Sequence, residues 1–116
     1  MRAQSYKELT VWKKGVTLVI TIYALTEKFP ASELFGLTSQ MRRAAVSIPS
    51  NIAEGSRRSG SKESIRFYQI AFGSGAELET QLEIVKRLPF SRDIALADAC
   101  AILDEVMRML NKLAYN

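Results

Sequence analysis

The stretch "SQMRRAAVSIPSNIAEGSRRSGSKES", Ser39 to Ser64, decides how the chain folds. Leu37, Met41, Ala45, Ile48 and Ile52 recur at helical spacing, with Gly55 continuing the face. Arg43, Ser47, Ser50 and Glu54 form a polar stripe across from them, and Arg42, Val46 and Ala53 lie between. Inside this helix stands Pro49, which has no N–H and whose ring opposes the carbonyl of Ala45. Left unrelieved, that costs about 3 kcal/mol or more, so a bent helix is expected. Ser47 and Ser50 are placed to satisfy loosened backbone groups, and the alanines permit close helix approach. "SRRSGS", Ser56 to Ser61, then reads as a connector, with Gly60 suited to a helix C-terminal turn and Ser61 to the next cap.

Working outward, three further amphipathic segments flank this one. Upstream, "SYKE" offers Ser5 as a cap and Glu8 as its reciprocal partner, opening a helix that runs to about Lys28. Leu9, Trp12, Val16, Val19, Ile20 and Tyr23 form one apolar stripe, and Val11, Leu18, Ile22 and Leu25 form another almost opposite. One bundle needs a single stripe, so the other is expected to meet a second helix, including one from another subunit. "FPASELFG" breaks the pattern with Pro30 and Gly36, and Ser32 and Glu33 suggest a short capped turn.

Downstream, a helix extends to about Leu88 with Phe67, Ile70, Ala71, Leu78, Leu82 and Val85 as its main stripe and Ile65, Tyr68 and Phe72 elsewhere. Gly73 and Gly75 thin its middle, where a bend or a close neighbour fits. "PFSRD" supplies a turn, with Ser91 as a cap and Asp93 in an acidic first turn. Leu96, Ala99, Cys100, Leu103, Val106, Met107 and Leu110 build the face of the last helix, leaving Asp98, Glu105, Arg108 and Lys112 outside. Short connectors between long helices predict an all-α, up-down antiparallel four-helix bundle with a proline-bent second helix, one domain over residues 1–116.

Composition narrows the chemistry. The 116 residues suffice for one core, and the apolar and charged fractions of 47% and 24% suit a globular protein rather than a disordered one. The greasiest run, Val16 to Leu25, is interrupted by Thr17 and Thr21 and falls well short of the roughly 20 apolar residues of a membrane span. Met1 to Ser5 show no apolar run with a small-residue cleavage site, so a cytoplasmic protein without membrane partners is expected. The single cysteine, Cys100, cannot form an internal disulfide and is expected in the core. With no histidine, the usual imidazole base and the Ser-His and Cys-His nucleophile pairs are lost.

Potential active-site groupings fare poorly. Glu77, Glu79 and Glu83 lack the Glu-x-x-His elements of a di-metal bundle and read as a solvated face. "GSG", Gly73 to Gly75, lacks the lysine and the strand-to-helix setting of a phosphate loop. No catalytic residue, metal ligand or cofactor is expected. Phe67, Tyr68 and Phe72 beside Arg66 have the chemistry to stack bases, but their helical spacing favours packing.

Charge is more informative. The formal net charge is +4, and Arg42, Arg43, Arg57, Arg58, Lys62 and Arg66 against Glu54 and Glu63 account for all of it. Arg57, Arg58, Lys62 and Arg66 gather around one helix-helix connection, with Arg43 farther along the second helix. Clustered cations neutralise phosphates and release counterions, giving salt-sensitive, largely sequence-independent affinity. A merely solvated helix end carries the same residues.

"ELTVWKKG", "FPASELFGLTSQMRRAAVSIPSNIAEGSRR" and "FYQIAFGSGAELETQLEI", with the closing helix, resemble the small bacterial four-helix-bundle proteins encoded in intervening sequences of large-subunit ribosomal RNA genes. The most specific part is Gln40 to Pro49 with Asn51 to Gly55. A similar branch comprises the accessory variability proteins of diversity-generating retroelements, barrel-like homopentamers that bind nucleic acid and a reverse transcriptase. The resemblance implies a homo-oligomer, a pentamer in that branch, with RNA or DNA and a reverse transcriptase as partners. By motif it assigns Arg42, Arg43, Arg57 and Arg58 as basic contacts, and Pro49, Asn51, Glu54 and Gly55 to the bent helix and its packing. The expected function is a non-enzymatic oligomeric adaptor that binds nucleic-acid phosphates and presents them to a protein. The alternative is a structural interaction module whose arginines pair with Glu77, Glu79 or Glu83 of a neighbouring subunit.

Overall fold

The structure, a computed structural model, describes residues 5–115; Met1 to Gln4, four of the five residues on which the expectation about a secretory signal rests, lie outside the described residues. Four helices carry the fold: α1 (Thr10–Thr26), α2 (Ser39–Ser56), α3 (Ser61–Lys86) and α4 (Ala97–Tyr115). Each packs on its neighbours in the order α1, α2, α3, α4 and back to α1. The molecule measures 48 × 21 × 20 Å, so two helix diameters of about 10 Å fill each narrow direction. No strand occurs among the described residues.

Helix ends depart from the sequence reading at several points. Ser5 caps a 3-10 turn over Tyr6–Glu8, its hydroxyl accepting from Lys7 N–H at 3.2 Å; Leu9 is extended, and α1 starts only at Thr10. The reciprocal Ser5–Glu8 box is thus replaced by a turn in which Glu8 N–H bonds the Ser5 carbonyl. Between α1 and α2 a 3-10 turn (Ala31–Glu33) leads into a π-helical turn (Leu34–Thr38), where Glu33 carboxylate accepts from Leu37 N–H. The non-helical backbone of this region sits at Gly36 (φ −111°, ψ −113°). Before α4, Pro89–Asp93 form a 3-10 turn, and the Ser91 hydroxyl donates to Leu88 carbonyl instead of capping α4. Asp98, not Asp93, occupies the first turn of that helix.

Of the two stripes on α1, Val11, Leu18, Ile22 and Leu25 enter the core. They meet Met41, Ala45, Ile48 and Ile52 of α2, Ala71, Leu78, Leu82 and Val85 of α3, and Ala99, Leu103, Val106 and Leu110 of α4. On α3 the stripe differs from the expected one: Ser74 and Gly75 are buried, whereas Ile70 is 43% exposed and Phe67 half-buried. The reason is room, because a Cβ at Gly75 would overlap the sulfur of Met107 on α4. Gly73, by contrast, faces open space, and Cys100 is only partly buried.

Pro49 lies within a helix that stays continuous from Ser39 to Ser56, its ring facing Gly15 of α1. Beside it the Asn51 amide donates to Ser47 carbonyl at 2.8 Å and to Ser47 Oγ at 2.9 Å, not to the Ala45 carbonyl that Pro49 leaves without its helical donor. Ser47 Oγ also accepts from the buried Ser74 hydroxyl of α3 at 2.8 Å, so this serine joins two helices, and Ser50 stays exposed. Ser47 and Ser50 therefore do not relieve the backbone as the sequence suggested.

The remaining α1 stripe is left partly in solvent. Trp12, Val16, Val19, Val46 and Pro49 line an open groove of about 300 Å³ between α1 and α2, and Ile20 beside it is 64% exposed. On α3, Ile70 and Ile84 are also uncovered. No helix of the described residues is long and apolar enough to cross a membrane.

Candidate nucleic-acid interface

The corner where α2 turns into α3 is built tightly. Helix α2 ends at Ser56, and Arg57 (φ −90°, ψ −7°) closes it through its N–H to Glu54 carbonyl at 3.2 Å. Gly60 takes extended geometry (φ −112°, ψ 143°) as the N-cap of α3. It therefore starts a helix instead of ending one, and Ser61 is already inside α3. Across the turn, the Ser64 hydroxyl donates to Gly55 carbonyl at 2.7 Å. A Cβ at Gly55 would come within 2.7 Å of the Tyr68 ring and 3.0 Å of Ser64 carbonyl, so only glycine lets α2 and α3 meet this closely.

This corner holds four of the six basic residues expected to form a site: Arg57, Arg58, Lys62 and Arg66, all exposed. Arg58 pairs with Glu54 one turn back, and its guanidinium lies 4.7 Å from the centre of the Phe67 ring. Arg57 sits 5.2 Å over the Tyr6 ring, which in turn meets Trp12 edge-on at 5.3 Å. Among the described residues, Arg57, Lys62 and Arg66 have no acidic partner within ion-pair distance. An exposed pair such as Arg58–Glu54 contributes about 0–1 kcal/mol, so it leaves the arginine free to exchange partners. Positive potential accordingly collects at a corner whose backbone is fixed.

Arg42 and Arg43 stand elsewhere. They lie in the first turns of α2, about 22 Å along its axis from Arg57 at 1.5 Å per residue. Arg42 is half-buried: its Nε donates to Thr26 Oγ1 at 2.9 Å, and Nη2 reaches Tyr23 carbonyl and Glu27 carboxylate at 3.4 Å each. Its guanidinium also lies 4.4 Å from the centre of the Tyr23 ring. These contacts tie the end of α1 to the start of α2. Arg43 is exposed and unpaired among the described residues.

The aromatic trio near Arg66 separates in the same way. Phe67 carries the Arg58 guanidinium, Phe72 packs against the core and meets Tyr115 edge-on at 5.4 Å, and Tyr68 is half-buried under Gly55. Burial raises the Tyr68 phenol above its ordinary pKa of 10.0 by penalising the anion. Tyr6 is the member of the site that sequence reasoning missed. It lies about fifty residues upstream of Arg57, and no spacing rule links a 3-10 turn to a distant helix end. Glu77, Glu79 and Glu83 are exposed, with Glu83 held by Arg87 at 3.2 Å. No group of three His, Cys, Asp or Glu residues suited to a metal ion occurs among the described residues.

The family model described as 23S rRNA-intervening sequence protein matches residues 7–112, which includes all four helices up to the last turn of α4 and every basic residue of the corner. Comparison with curated proteins gave no match.

Proposed function

The chain belongs to the 23S rRNA-intervening sequence protein family, and we propose that it is a non-enzymatic, oligomeric adaptor whose basic corner binds the phosphates of RNA or DNA. One observation carries this reading: Arg57 at the end of α2 and Lys62 and Arg66 on α3 are exposed with no carboxylate at ion-pair distance among the described residues, and Arg58 beside them is held by an exposed pair with Glu54 and by the Phe67 ring. Such cations bind a polyanion by displacing its condensed counterions. Self-association draws support from the open α1–α2 groove and from Ile20, Ile70 and Ile84, apolar area that one bundle leaves in water. Each copy in an assembly adds a formal charge of +4, and linked weak sites reinforce one another. The protein partner to which nucleic acid is presented is a reverse transcriptase in the retroelement relatives, and a protein of that class is the partner proposed here.

A second reading is favoured by a specific observation. Glu77 and Glu79 are exposed without an ion-pair partner among the described residues, so they are available to arginines of another copy. Replacing Arg57, Arg58 and Lys62 together with Ala separates the two. Under the proposed function the variant loses at least tenfold in anisotropy titrations with a labelled oligonucleotide, while light scattering gives an unchanged particle mass. A variant that dissociates, from a wild type that binds no nucleic acid at low salt, supports the interaction module instead.

A further inference from the structure

Resting on the proposed nucleic-acid function, we infer that the corner takes single strands with splayed bases in preference to duplex. The geometry behind this is a pair of arginine-capped rings. Arg57 lies 5.2 Å from the centre of the Tyr6 ring and Arg58 lies 4.7 Å from the centre of the Phe67 ring, the two arginines being neighbours at the start of the α2–α3 connector. A guanidinium is planar, and one that rests against a ring through one face can offer its other face to a base as a charged stacking surface. Tyr6 is steadied in turn by Trp12, and the Phe67 ring is half-buried, so both platforms are held in place by packing rather than by the flexible arginine stems alone.

Two such platforms have no use on a paired helix, whose bases are stacked on each other and present only edges and phosphates. A single strand offers exposed base faces, and aromatic or guanidinium planes stack on any of the four bases without reading sequence. Lys62 and Arg66, one turn apart on the exposed side of α3, lack aromatic partners among the described residues and supply the cations for the adjoining phosphates. The combination of two planar stacking surfaces with two point charges at one compact corner matches a short run of one strand. A duplex, whose phosphates lie along two rails, would use the charges and leave the platforms idle.

The test is a set of anisotropy titrations of the full chain at fixed low salt. The probes are a labelled 12-nucleotide RNA of mixed sequence, the same RNA annealed to its complement, and unlabelled inorganic polyphosphate as competitor. The expected result is affinity for the single strand about tenfold above that for the duplex, since each stacked base contributes on that scale. In the double variant Arg57→Lys/Arg58→Lys, which keeps the charge and removes the planes, that ratio falls to near one, with circular dichroism verifying the helices. Equal or tighter duplex binding by the wild type, or a ratio untouched in the lysine variant, overturns the single-strand inference and leaves phosphate binding standing. Absence of binding to both labelled RNAs, or a bound strand that excess polyphosphate fails to displace, overturns the underlying phosphate-binding function as well.

Discussion

The two ends of α2 use the same residue type in opposite ways. At its start, Arg42 turns inward, and its donors meet Thr26, the Tyr23 carbonyl and Glu27. At its end, Arg57 turns outward over Tyr6, with Arg58, Lys62 and Arg66 around it. The difference follows from what each end faces. The first turns of α2 lie against the last turn of α1, whose exposed carbonyls and side-chain oxygens need donors. The last turn opens onto a four-residue connector, where among the described residues Arg58 finds a carboxylate in Glu54 and Arg57 finds none. Basic residues that look like one cluster in the sequence therefore divide, Arg42 acting as a brace while Arg57, Lys62 and Arg66 are available charge.

The contrast can be broken most forcefully by exchanging the roles of the arginines. Arg42→Ala removes a charged donor from the buried Thr26 hydroxyl and is expected to cost about 1.5–3 kcal/mol in urea unfolding. Lys62→Ala, at an exposed helical position, is expected to change stability by no more than about 0.5 kcal/mol while weakening nucleic-acid binding more than Arg42→Ala does. Equal stability losses in the two variants would erase the distinction between brace and site.

A smaller effect sharpens the picture of the corner itself. Tyr68 packs beneath Gly55, and its burial favours the neutral phenol in the folded state. As pH rises past the ordinary value of 10.0, the unfolded phenol ionises first. Stability that is fully present below that pH is then lost as pH climbs through the raised folded pKa. Between about pH 9 and about pH 11 the urea midpoint of the wild type should fall more than that of Tyr68→Phe, by less than the Arg42→Ala effect. Parallel curves would mean that the corner is more open to water than its packing indicates.

Much of this was legible in the sequence. Met41, Ala45, Ile48 and Ile52 announce the buried face of α2, and Ala99, Leu103, Val106, Met107 and Leu110 that of α4, because helical spacing alone selects a face. The presence of two stripes on α1 was equally plain, but which one the bundle buries depends on neighbours that periodicity does not name. On α3 the pattern misled: Ile70 is greasier than Gly75, yet the room demanded by Met107 puts the glycine inside. Clustering of Arg57, Arg58, Lys62 and Arg66 follows from a short connector and needs no tertiary knowledge. The inward turn of Arg42 and the arrival of Tyr6 under Arg57 do, since each joins residues more than a dozen positions apart.

The corner's use is tested most directly by the salt dependence of oligonucleotide affinity, followed for the wild type and for a variant with Arg57, Lys62 and Arg66 all replaced by Ala. If these side chains meet phosphates, log affinity falls linearly with log salt, and the variant flattens the slope by about two for a single strand, roughly 0.7 for each lost contact. An affinity that ignores salt, or a slope the variant leaves unaltered, would contradict phosphate binding at the α2–α3 corner.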